Sequence, residues 1–359
     1  MININNWVKQ QISNKERIAL PIMTHPGIEM IGKTVKEAVQ DGEVHALAIE
    51  KLSEVYPTAA TTVIMDLTLE AEAFGTPIEF QQDEMPHLLG RLVTNAEDIE
   101  ALQVPDLSAG RIPEYLKANR LTVEATRNKP VFAGVIGPFS LAGRLYDMSE
   151  IMVACYTEPE SIHCLLDKCN RFILNYCTEL KKTGCSGVVI AEPAAGLLSN
   201  EDCIEFSSEY IKKIVETLQD DTFLVILHNC GNTGHCTEAM LYTGANAYHF
   251  GNAIEMTEAL KSCPSDKLIL GNADPVGVLK LLPAAEVKAY ISGLLNRTSG
   301  YDNFVLSTGC DLPPHVPAEN IAAFFEALKD YNDALESNKV QAEGINQEQL
   351  IPELCDTNN

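Results

Sequence analysis

The stretches GVVIAE (residues 187–192) and TFLVILH (residues 222–228) are short runs that consist almost wholly of apolar residues. Runs of this kind, without the alternation of a half-exposed strand, are typical of parallel strands that helices cover on both faces. Six further runs share the pattern: IALPIM (18–23), TTVIMD (61–66), PVFAGVI (130–136), NAYHFG (246–251), KLILGN (267–272) and NFVLST (303–308). Longer amphipathic stretches alternate with them, such as VKEAVQDGEVHALAIEKLSEVY (35–56) and PAENIAAFFEALKDYNDAL (317–335).

Eight buried strands that alternate with helices predict a (β/α)8 TIM barrel. A doubly wound open sheet is the alternative, but no Gly-rich dinucleotide fingerprint follows the first strand. The segment TPIEFQQDEMPHLLGRLV (76–93) is expected to form a hairpin or a loop insertion. We expect a single barrel domain over residues 1–335, with an N-terminal extension before the first strand, and a loose polar tail over residues 336–359.

Composition and charge limit the classes of partner. The chain has 359 residues, of which 46% are hydrophobic, and a formal net charge of -24. Such an acidic surface repels nucleic acid and anionic lipid, so neither is expected as a partner. No apolar run reaches transmembrane length, and the start MININNWVKQQ lacks the pattern of a signal peptide. We therefore expect a cytoplasmic protein.

The cysteine content is high, with eleven residues of this type. The count is odd and the spacing resembles no secreted disulfide framework, so reduced thiols are expected, some buried and some bound to metal. Cys164, Cys169 and Cys177 fall in one helical stretch, ESIHCLLDKCNRFILNYCTEL (160–180), where we expect them to pack as small hydrophobic residues.

The stretch LHNCG (227–231) places a histidine and a cysteine where a strand ends. His228 and Cys230 point the same way because they are two residues apart, and active sites of these barrels lie at the carboxyl ends of the strands. Cys310 follows the last strand in FVLSTGCDLPP (304–314). These three side chains can converge on one zinc ion and leave a fourth position for substrate. His235 and Cys236 are alternative ligands.

The motifs HNCG (228–231) and STGCDLPPHVPAENI (307–321) resemble those of the methylcobamide:coenzyme M methyltransferases, which belong to the uroporphyrinogen decarboxylase superfamily. The resemblance extends over nearly the whole barrel, including MDLTLEAEAFG (65–75), VIGPFSLAG (135–143) and AEPAAGLLS (191–199). It implies that His228, Cys230 and Cys310 hold a catalytic zinc. It also implies a corrinoid cofactor such as methylcobalamin, which a separate small protein carries.

Zinc with two thiolates and one imidazole can bind a substrate thiol and lower the pKa of that thiol. The thiolate could then take the methyl group of a methylated corrinoid. The methyl acceptor stays open between coenzyme M, another thiol and a pterin. The reverse direction, in which a methylated small molecule gives its methyl group to corrinoid, stays open as well.

Two further functions remain as alternatives. The first is a decarboxylase of the uroporphyrinogen type, whose polycarboxylate substrate requires guanidinium groups. The stretch MTHPGIEM (23–30), where that family has an Arg-rich motif, contains no arginine, and Arg17 precedes the strand. The second is a non-catalytic module that docks a corrinoid protein and in which the metal ion has only a structural role.

Other polar residues at the predicted strand ends are candidates for catalysis or substrate binding. Two are expected to act in catalysis, Glu192 and His25, although Glu192 could instead cap a helix or form a salt bridge. Four are expected to contact substrate: Glu72, His249, Asn252 and Asp274. Glu72 could also be a fourth zinc ligand or support the ligands from behind. Asn272 could bind substrate beside Asp274, and Asp66 and Glu70 follow the same strand as Glu72 and could take its place near the metal.

Overall fold

A computed structural model describes residues 2–348 of the chain, and it describes the side chains of residues 2–337. The strands are β1 (Thr61–Thr62), β2 (Ile78–Glu79), β3 (His87–Leu88), β4 (Val131–Ile136), β5 (Gly187–Ala191), β6 (Leu224–Asn229), β7 (Ala247–Phe250), β8 (Leu268–Ala273) and β9 (Phe304–Thr308). The helices are α1 (Ile4–Ser13), α2 (His25–Met30), α3 (Val35–Gln40), α4 (Gly42–Val55), α5 (Leu69–Phe74), α6 (Ala96–Ala101), α7 (Ile112–Ala125), α8 (Pro138–Tyr146), α9 (Met148–Thr157), α10 (Pro159–Lys182), α11 (Asn200–Cys203), α12 (Glu209–Leu218), α13 (Thr237–Tyr242), α14 (Met256–Ser262), α15 (Ala284–Arg297) and α16 (Ala318–Glu348). A short 3-10 helix (Pro193–Leu197) follows β5, and a π-helical turn (Ile204–Ser208) joins α11 to α12.

Seven strands form one parallel sheet in the order β1-β4-β5-β6-β7-β8-β9. Residues 18–22 close it into a barrel, because the backbone N–H of Leu20 donates to the carbonyl of Leu306 at 2.9 Å and the N–H of Ala59 donates to the carbonyl of Ala19 at 2.9 Å. The predicted (β/α)8 barrel is confirmed, and this closure excludes the open doubly wound sheet. Strands β2 and β3 pair separately as the hairpin expected within residues 76–93.

The first two barrel positions have fewer ladder bonds than the apolar runs predict. The run 18–23 makes only an isolated bridge, at Ala19 and Leu306, because Pro21 has no N–H and the N–H of Ile22 donates to Thr308 Oγ1. Strand β1 ends at Thr62 although the run continues to residue 66. The N–H of Ile64 donates to Nε2 of the buried His45, a side chain of α4, at 2.9 Å.

Two apolar clusters lie on either side of the sheet. The inner cluster fills the barrel with one or two side chains from each of the strands β4 to β9, including Phe132, Val189, Leu224 and Leu270. Helix α1 closes the amino-terminal end of the barrel because its buried Ile4 and Val8 belong to the same cluster. The N-terminal extension is therefore a plug, and the larger outer cluster lies between the strands and the surrounding helices.

Two helix boundaries differ from the sequence pattern. The stretch 35–56 is two helices, because Asp41 is extended and its side chain caps α4 by accepting from the N–H of Glu43 at 2.8 Å. Helix α16 passes the expected domain boundary at residue 335 and runs to Glu348. The rest of the predicted tail, residues 349–359, lies outside the described residues.

The cysteines of the helical stretch lie on α10, where Cys169 and Cys177 are buried. The ten cysteines that the structure describes are all free thiols. Within the described residues, no helix is both long and apolar enough to cross a membrane.

Candidate metal centre

His228, Cys230 and Cys310 meet at the carboxyl end of the barrel. One ligand atom from each, an imidazole nitrogen and two Sγ atoms, lies within 4.8 Å of the other two. His228 is buried near the carboxyl end of strand β6. Both thiols are half-buried and stay accessible from the barrel mouth. Cys310 reaches the other two across the barrel mouth, because the segment after β9 and the end of β6 both lie at the carboxyl end of the closed barrel.

A chain of buried hydrogen bonds fixes which nitrogen of His228 faces the thiols. Ser307 Oγ donates its proton to the carbonyl of Leu20 at 2.7 Å, so it accepts from Nε2–H of His249 at 2.8 Å. Nδ1 of His249 is then a lone pair, which accepts from Nδ1–H of His228 at 2.7 Å. Nε2 of His228 is left as the lone pair that faces the two sulfurs.

The parallel register explains why the two imidazoles touch. His228 of β6 pairs directly with His249 of β7. Burial, followed by repulsion from His228, holds the pKa of His249 well below its ordinary value of 6.5. His249 is therefore neutral, as the hydrogen-bond chain requires. Both ring nitrogens of His249 bond to protein side chains, and its contact with substrate stays a prediction.

The thiols of Cys230 and Cys310 lie close enough to form a hydrogen bond with each other. A hydrogen bond from Cys310 lowers the pKa of Cys230 to about 7, against the effect of burial. The same contact raises the pKa of Cys310 above its ordinary value. Two converging sulfurs and one imidazole lone pair form a donor set that suits zinc. Ligands at about 2.1–2.3 Å from a tetrahedral ion lie roughly 3.5–4 Å apart, and the ligand atoms here all lie within 4.8 Å of one another.

The alternative ligands His235 and Cys236 lie outside this cluster. Nδ1 of His235 contacts Thr233 Oγ1 at 3.0 Å, and its Nε2 donates to the carbonyl of Leu198 at 3.1 Å. Sγ of the buried Cys236 faces the same carbonyl at 3.4 Å. Both side chains therefore contact the carbonyl of Leu198, in the segment after β5.

His25 lies at the start of α2 and lines a cavity at the barrel mouth. Its Nδ1–H donates to the carbonyl of Leu312 at 2.8 Å, two residues after Cys310. Its Nε2 is buried and has no partner among the described residues. Its role in catalysis stays a prediction.

Glu192 does not line that cavity. Its carboxylate accepts hydrogen bonds from the backbone N–H groups of Phe139 at 3.1 Å and Ser140 at 2.6 Å, at the amino terminus of α8. Burial is the larger effect and raises the pKa of Glu192 to about 7, although these hydrogen bonds act in the opposite direction. The capping role that the sequence left open is observed, and a catalytic role for Glu192 stays a prediction.

Glu72 is bound to Arg111 instead of facing the cluster. Arg111 donates from Nε to Glu72 Oε2 at 2.6 Å and from Nη1 to Asp66 Oδ2 at 2.6 Å. Glu70 is buried nearby, where burial raises its pKa to about 7. Its Oε1 accepts from the N–H of Ile136 at 3.0 Å. The sequence does not reveal this arginine partner of Glu72, and the role of Glu72 toward substrate or metal stays a prediction.

Two polar residues at the end of β8 form hydrogen bonds with backbone groups. Asn272 donates to the carbonyls of Gly251 and Ile254, and Asp274 accepts from the N–H groups of Val276 and Gly277. Asn252 is exposed beside Gly309, close to the third member of the cluster. The cavity lined by His25 does not include Glu192, Asn252 or Asp274.

Sequence reasoning missed two groups at this end of the barrel. Ser307 lies in the quoted motif before Cys310, but its part in the hydrogen-bond chain depends on strand register. Arg144 follows VIGPFSLAG in the sequence, and the apolar surroundings of this cation were a usable signal. Its side chain lines the cavity together with His25.

Comparison with known proteins agrees with this barrel and its motifs. The family model of uroporphyrinogen decarboxylase (URO-D) matches residues 17–331. The chain belongs to the uroporphyrinogen decarboxylase family. It is 30% identical over 308 residues to the Methylcobamide:CoM methyltransferase MtbA of Methanosarcina mazei, covering 85% of this chain and 89% of that protein. It is also 30% identical over 290 residues to the uroporphyrinogen decarboxylase of Azotobacter vinelandii, covering 77% and 79%.

A solved structure of a methyltransferase from Methanosarcina mazei superposes with a TM-score of 0.82 and 21% identity, over 92% of this chain and 99% of the other. At this sequence identity, the structural similarity shows a shared fold and not a shared function. The match to MtbA confirms the resemblance to the methylcobamide:coenzyme M methyltransferase branch of the family.

Proposed function

We propose that the protein is a corrinoid-dependent methyltransferase that moves a methyl group between a methyl-corrinoid and a thiol, and that His228, Cys230 and Cys310 hold a zinc ion. The observation that carries the proposal is the convergence of two half-buried thiols and one oriented imidazole at the carboxyl end of the barrel. Methylation of a thiol forms a sulfur–carbon bond while the cobalt–carbon bond breaks, and its electron pair stays on cobalt.

Zinc bound to these residues would supply Lewis acidity that lowers the pKa of a substrate thiol. The chain's own residues prepare the site. His249 and Ser307 hold Nε2 of His228 toward the sulfurs, and the accessibility of Cys230 and Cys310 leaves an open side for substrate. Three protein ligands are the pattern of a catalytic site.

A corrinoid-carrying protein is the partner that the relatives suggest. Several large apolar side chains on the loops at the carboxyl end of the barrel are exposed: Leu89 by 54%, Leu197 by 61%, Val276 by 47% and Leu281 by 69%. Exposed apolar side chains around a pocket mouth are typical of a surface that contacts another protein. They support docking of a macromolecule over the barrel mouth.

The decarboxylase alternative has less support. Arg17 lies at the opposite end, where it donates to the carbonyls of Thr298 and Ser299, and Arg111 is bound to two carboxylates. Arg144 is the arginine that lines the mouth cavity. One guanidinium does not match a substrate with many carboxylates.

The test is a methyl transfer assay with methylcobalamin and small thiols, together with zinc analysis. We expect one zinc per chain, thiol-dependent loss of the methyl group from cobalt, loss of activity with a chelator, and its return with zinc. Decarboxylation of uroporphyrinogen by the metal-free protein, without methyl transfer, would contradict the proposal in favour of the decarboxylase. Zinc binding without either reaction would favour the docking module.

A further inference from the structure

A short path of backbone contacts joins the two thiol-bearing residues of the metal centre. Cys230 follows strand β6 and Cys310 follows β9, so the ends of β7 and β8 lie between them in the sheet. Residues 251–252, which follow β7, contact the backbone of Cys230 on one side and the residue before Cys310 on the other. We refer to residues 251–252 as the spacer.

The first residue of the spacer lies against Cys230. The parallel register pairs Asn229 with Phe250, so the residues that follow them, Cys230 and Gly251, lie side by side. A Cβ atom at position 251 would lie 2.6 Å from Cα and 2.9 Å from Cβ of Cys230. Nonbonded carbon atoms prefer separations of about 3.5–4.0 Å, so any side chain here would push Cys230 away. Glycine therefore lets the spacer pack directly on the backbone of the candidate ligand.

The second residue of the spacer, Asn252, lies against Gly309, the residue before Cys310. A Cβ atom at position 309 would lie 2.7 Å from the backbone nitrogen of Asn252 and 3.1 Å from its Cβ. This contact is as close as the one between Gly251 and Cys230. The path from Cys230 to Cys310 therefore runs through packed backbone atoms, and a shift of the spacer would change the distance between the two thiols.

Asn272, at the end of β8, anchors the spacer. Its side chain is 5% exposed, and Nδ2 donates to the carbonyls of Gly251 at 2.9 Å and Ile254 at 2.7 Å. An amide nitrogen has two hydrogens to donate, so these two carbonyls use its full capacity. The carbonyl of the next residue, Ala273, accepts from the N–H of Gly309 at 2.7 Å. The end of β8 therefore holds the spacer through a side chain and the segment after β9 through the main chain.

We propose that the spacer sets the separation of the two thiols that would hold zinc, and that Asn272 is a positioning residue for this metal centre. A functional site needs its groups held within about 0.5 Å of the productive geometry. Close backbone contacts on both sides of the spacer meet that need without a further group on the ion. The inference rests on the zinc site proposed above and adds the residues that fix the width of that site.

Asn272→Ala tests the anchor, because it removes both hydrogen bonds to the turn that contains the spacer and leaves the three candidate ligands in place. We expect the affinity of the metal-free protein for zinc to fall about 10–100-fold, measured by competition with a chromophoric chelator. Cadmium is a larger ion that also prefers sulfur ligands. The affinity for cadmium should fall less when the thiols can move apart, so the ratio of cadmium affinity to zinc affinity should rise.

Asn303→Ala is the matched control. The side chain of Asn303 is 4% exposed, and its Nδ2 also donates to two carbonyls, those of Pro264 at 3.1 Å and Lys267 at 2.8 Å. This residue directly precedes β9, at the end of the barrel away from the metal centre. Both variants should lower the free energy of unfolding in urea, because each leaves two carbonyls without their donor. Only Asn303→Ala should keep the zinc affinity and the affinity ratio of the unaltered protein.

Gly251→Ala tests the spacer at its contact with Cys230. The added Cβ should push Cys230 away, with a fall in zinc affinity and a rise in the ratio of cadmium affinity to zinc affinity. Gly300→Ala is its control, since among the described residues the added Cβ would meet no atom of a non-neighbouring residue within 4 Å. The two tests are independent, so one variant decides if the other does not fold.

The outcomes separate this inference from the proposed reaction. Equal losses for zinc and cadmium, or unchanged affinities in Asn272→Ala and Gly251→Ala, would overturn the role of the spacer. Methyl transfer from methylcobalamin to a thiol is measured with the unaltered protein beside these affinities. If that reaction occurs while both variants bind metal like their controls, the spacer role fails and the proposed reaction stands. If the affinity ratio shifts as expected but no thiol is methylated, the spacer role stands and the proposed reaction fails.

Discussion

At the scale of single residues, the metal centre depends on side chains that do not touch the metal. The hydrogen bonds of Ser307 and His249 fix the tautomer of His228, because each group in the chain can donate in one direction only. Neutral histidine with the proton on Nδ1 is the form that binds a metal through Nε2. The candidate ligand is thus oriented before any ion arrives.

Removal of this support should weaken metal binding without removing a ligand. We expect His249→Phe to reduce zinc affinity about 10–100-fold and Ser307→Ala by about tenfold, measured by competition with a chromophoric chelator. Ser208→Ala is the matched control, since it deletes a buried hydroxyl that donates to the carbonyl of Ala239. Equal zinc affinity in His249→Phe and the unaltered protein would refute the orienting role.

At the scale of elements, strand periodicity predicted part of the site and could not predict the rest. The two-residue spacing of His228 and Cys230 is local, so the sequence sufficed to place both on one side of β6. The contact between His228 and His249 depends on the register of β6 against β7, which no local pattern encodes. Glu192 looked catalytic because it ends a strand, but the amino terminus of α8 lies in front of it.

The sequence predicted the region of helix α1 only as an N-terminal extension and did not predict that this helix closes the barrel. Its Ile4 fills the amino-terminal end of the barrel and is fully buried. We expect Ile4→Ala to lower the free energy of unfolding by about 2–4 kcal/mol, measured by urea denaturation. Lys9→Ala on the exposed face of the same helix should change it little. Both variants should keep their zinc, because the cluster lies at the other end of the barrel.

At the scale of the whole molecule, buried carboxyl groups make stability depend on pH. Burial raises the pKa of Glu70 to about 7 and that of Glu192 to about 7, from an ordinary value of 4.5. Between these values the folded state binds more protons than the unfolded state, so stability falls as pH rises from about 4.5 to about 7. The net charge of -24 adds self-repulsion in the same direction.

We therefore expect a higher melting temperature at about pH 5 than at about pH 8. Glu70→Gln should reduce this difference, because an amide has no charged form to bury. Glu216→Gln, which removes a charge from the exposed face of α12, should leave the difference nearly as it is. Scanning calorimetry across this range is the measurement, and an unchanged slope in Glu70→Gln would show that its carboxyl group does not titrate with folding.

Barrel closure is the whole-molecule event on which the metal centre depends. The segment that carries Cys310 lies beside residues 18–22 on one side and β8 on the other, and only this closed arrangement brings its thiol to His228 and Cys230. The repeating strands were sufficient to predict that meeting. The ion pair of Glu72 with Arg111 and the turn around Asp274 were not predictable, because their partners come from loops without a repeating pattern.

The most direct test of the account is the zinc content of Cys310→Ala beside that of Cys236→Ala, by elemental analysis after dialysis. Cys310→Ala should stay folded, since the core strands keep their apolar faces, and should lose zinc and thiol methylation, because an open two-ligand site binds zinc weakly. Cys236→Ala removes a buried thiol outside the cluster and should retain both. Zinc retained in Cys310→Ala and lost in Cys236→Ala would contradict the assignment and move the metal centre to His235 and Cys236.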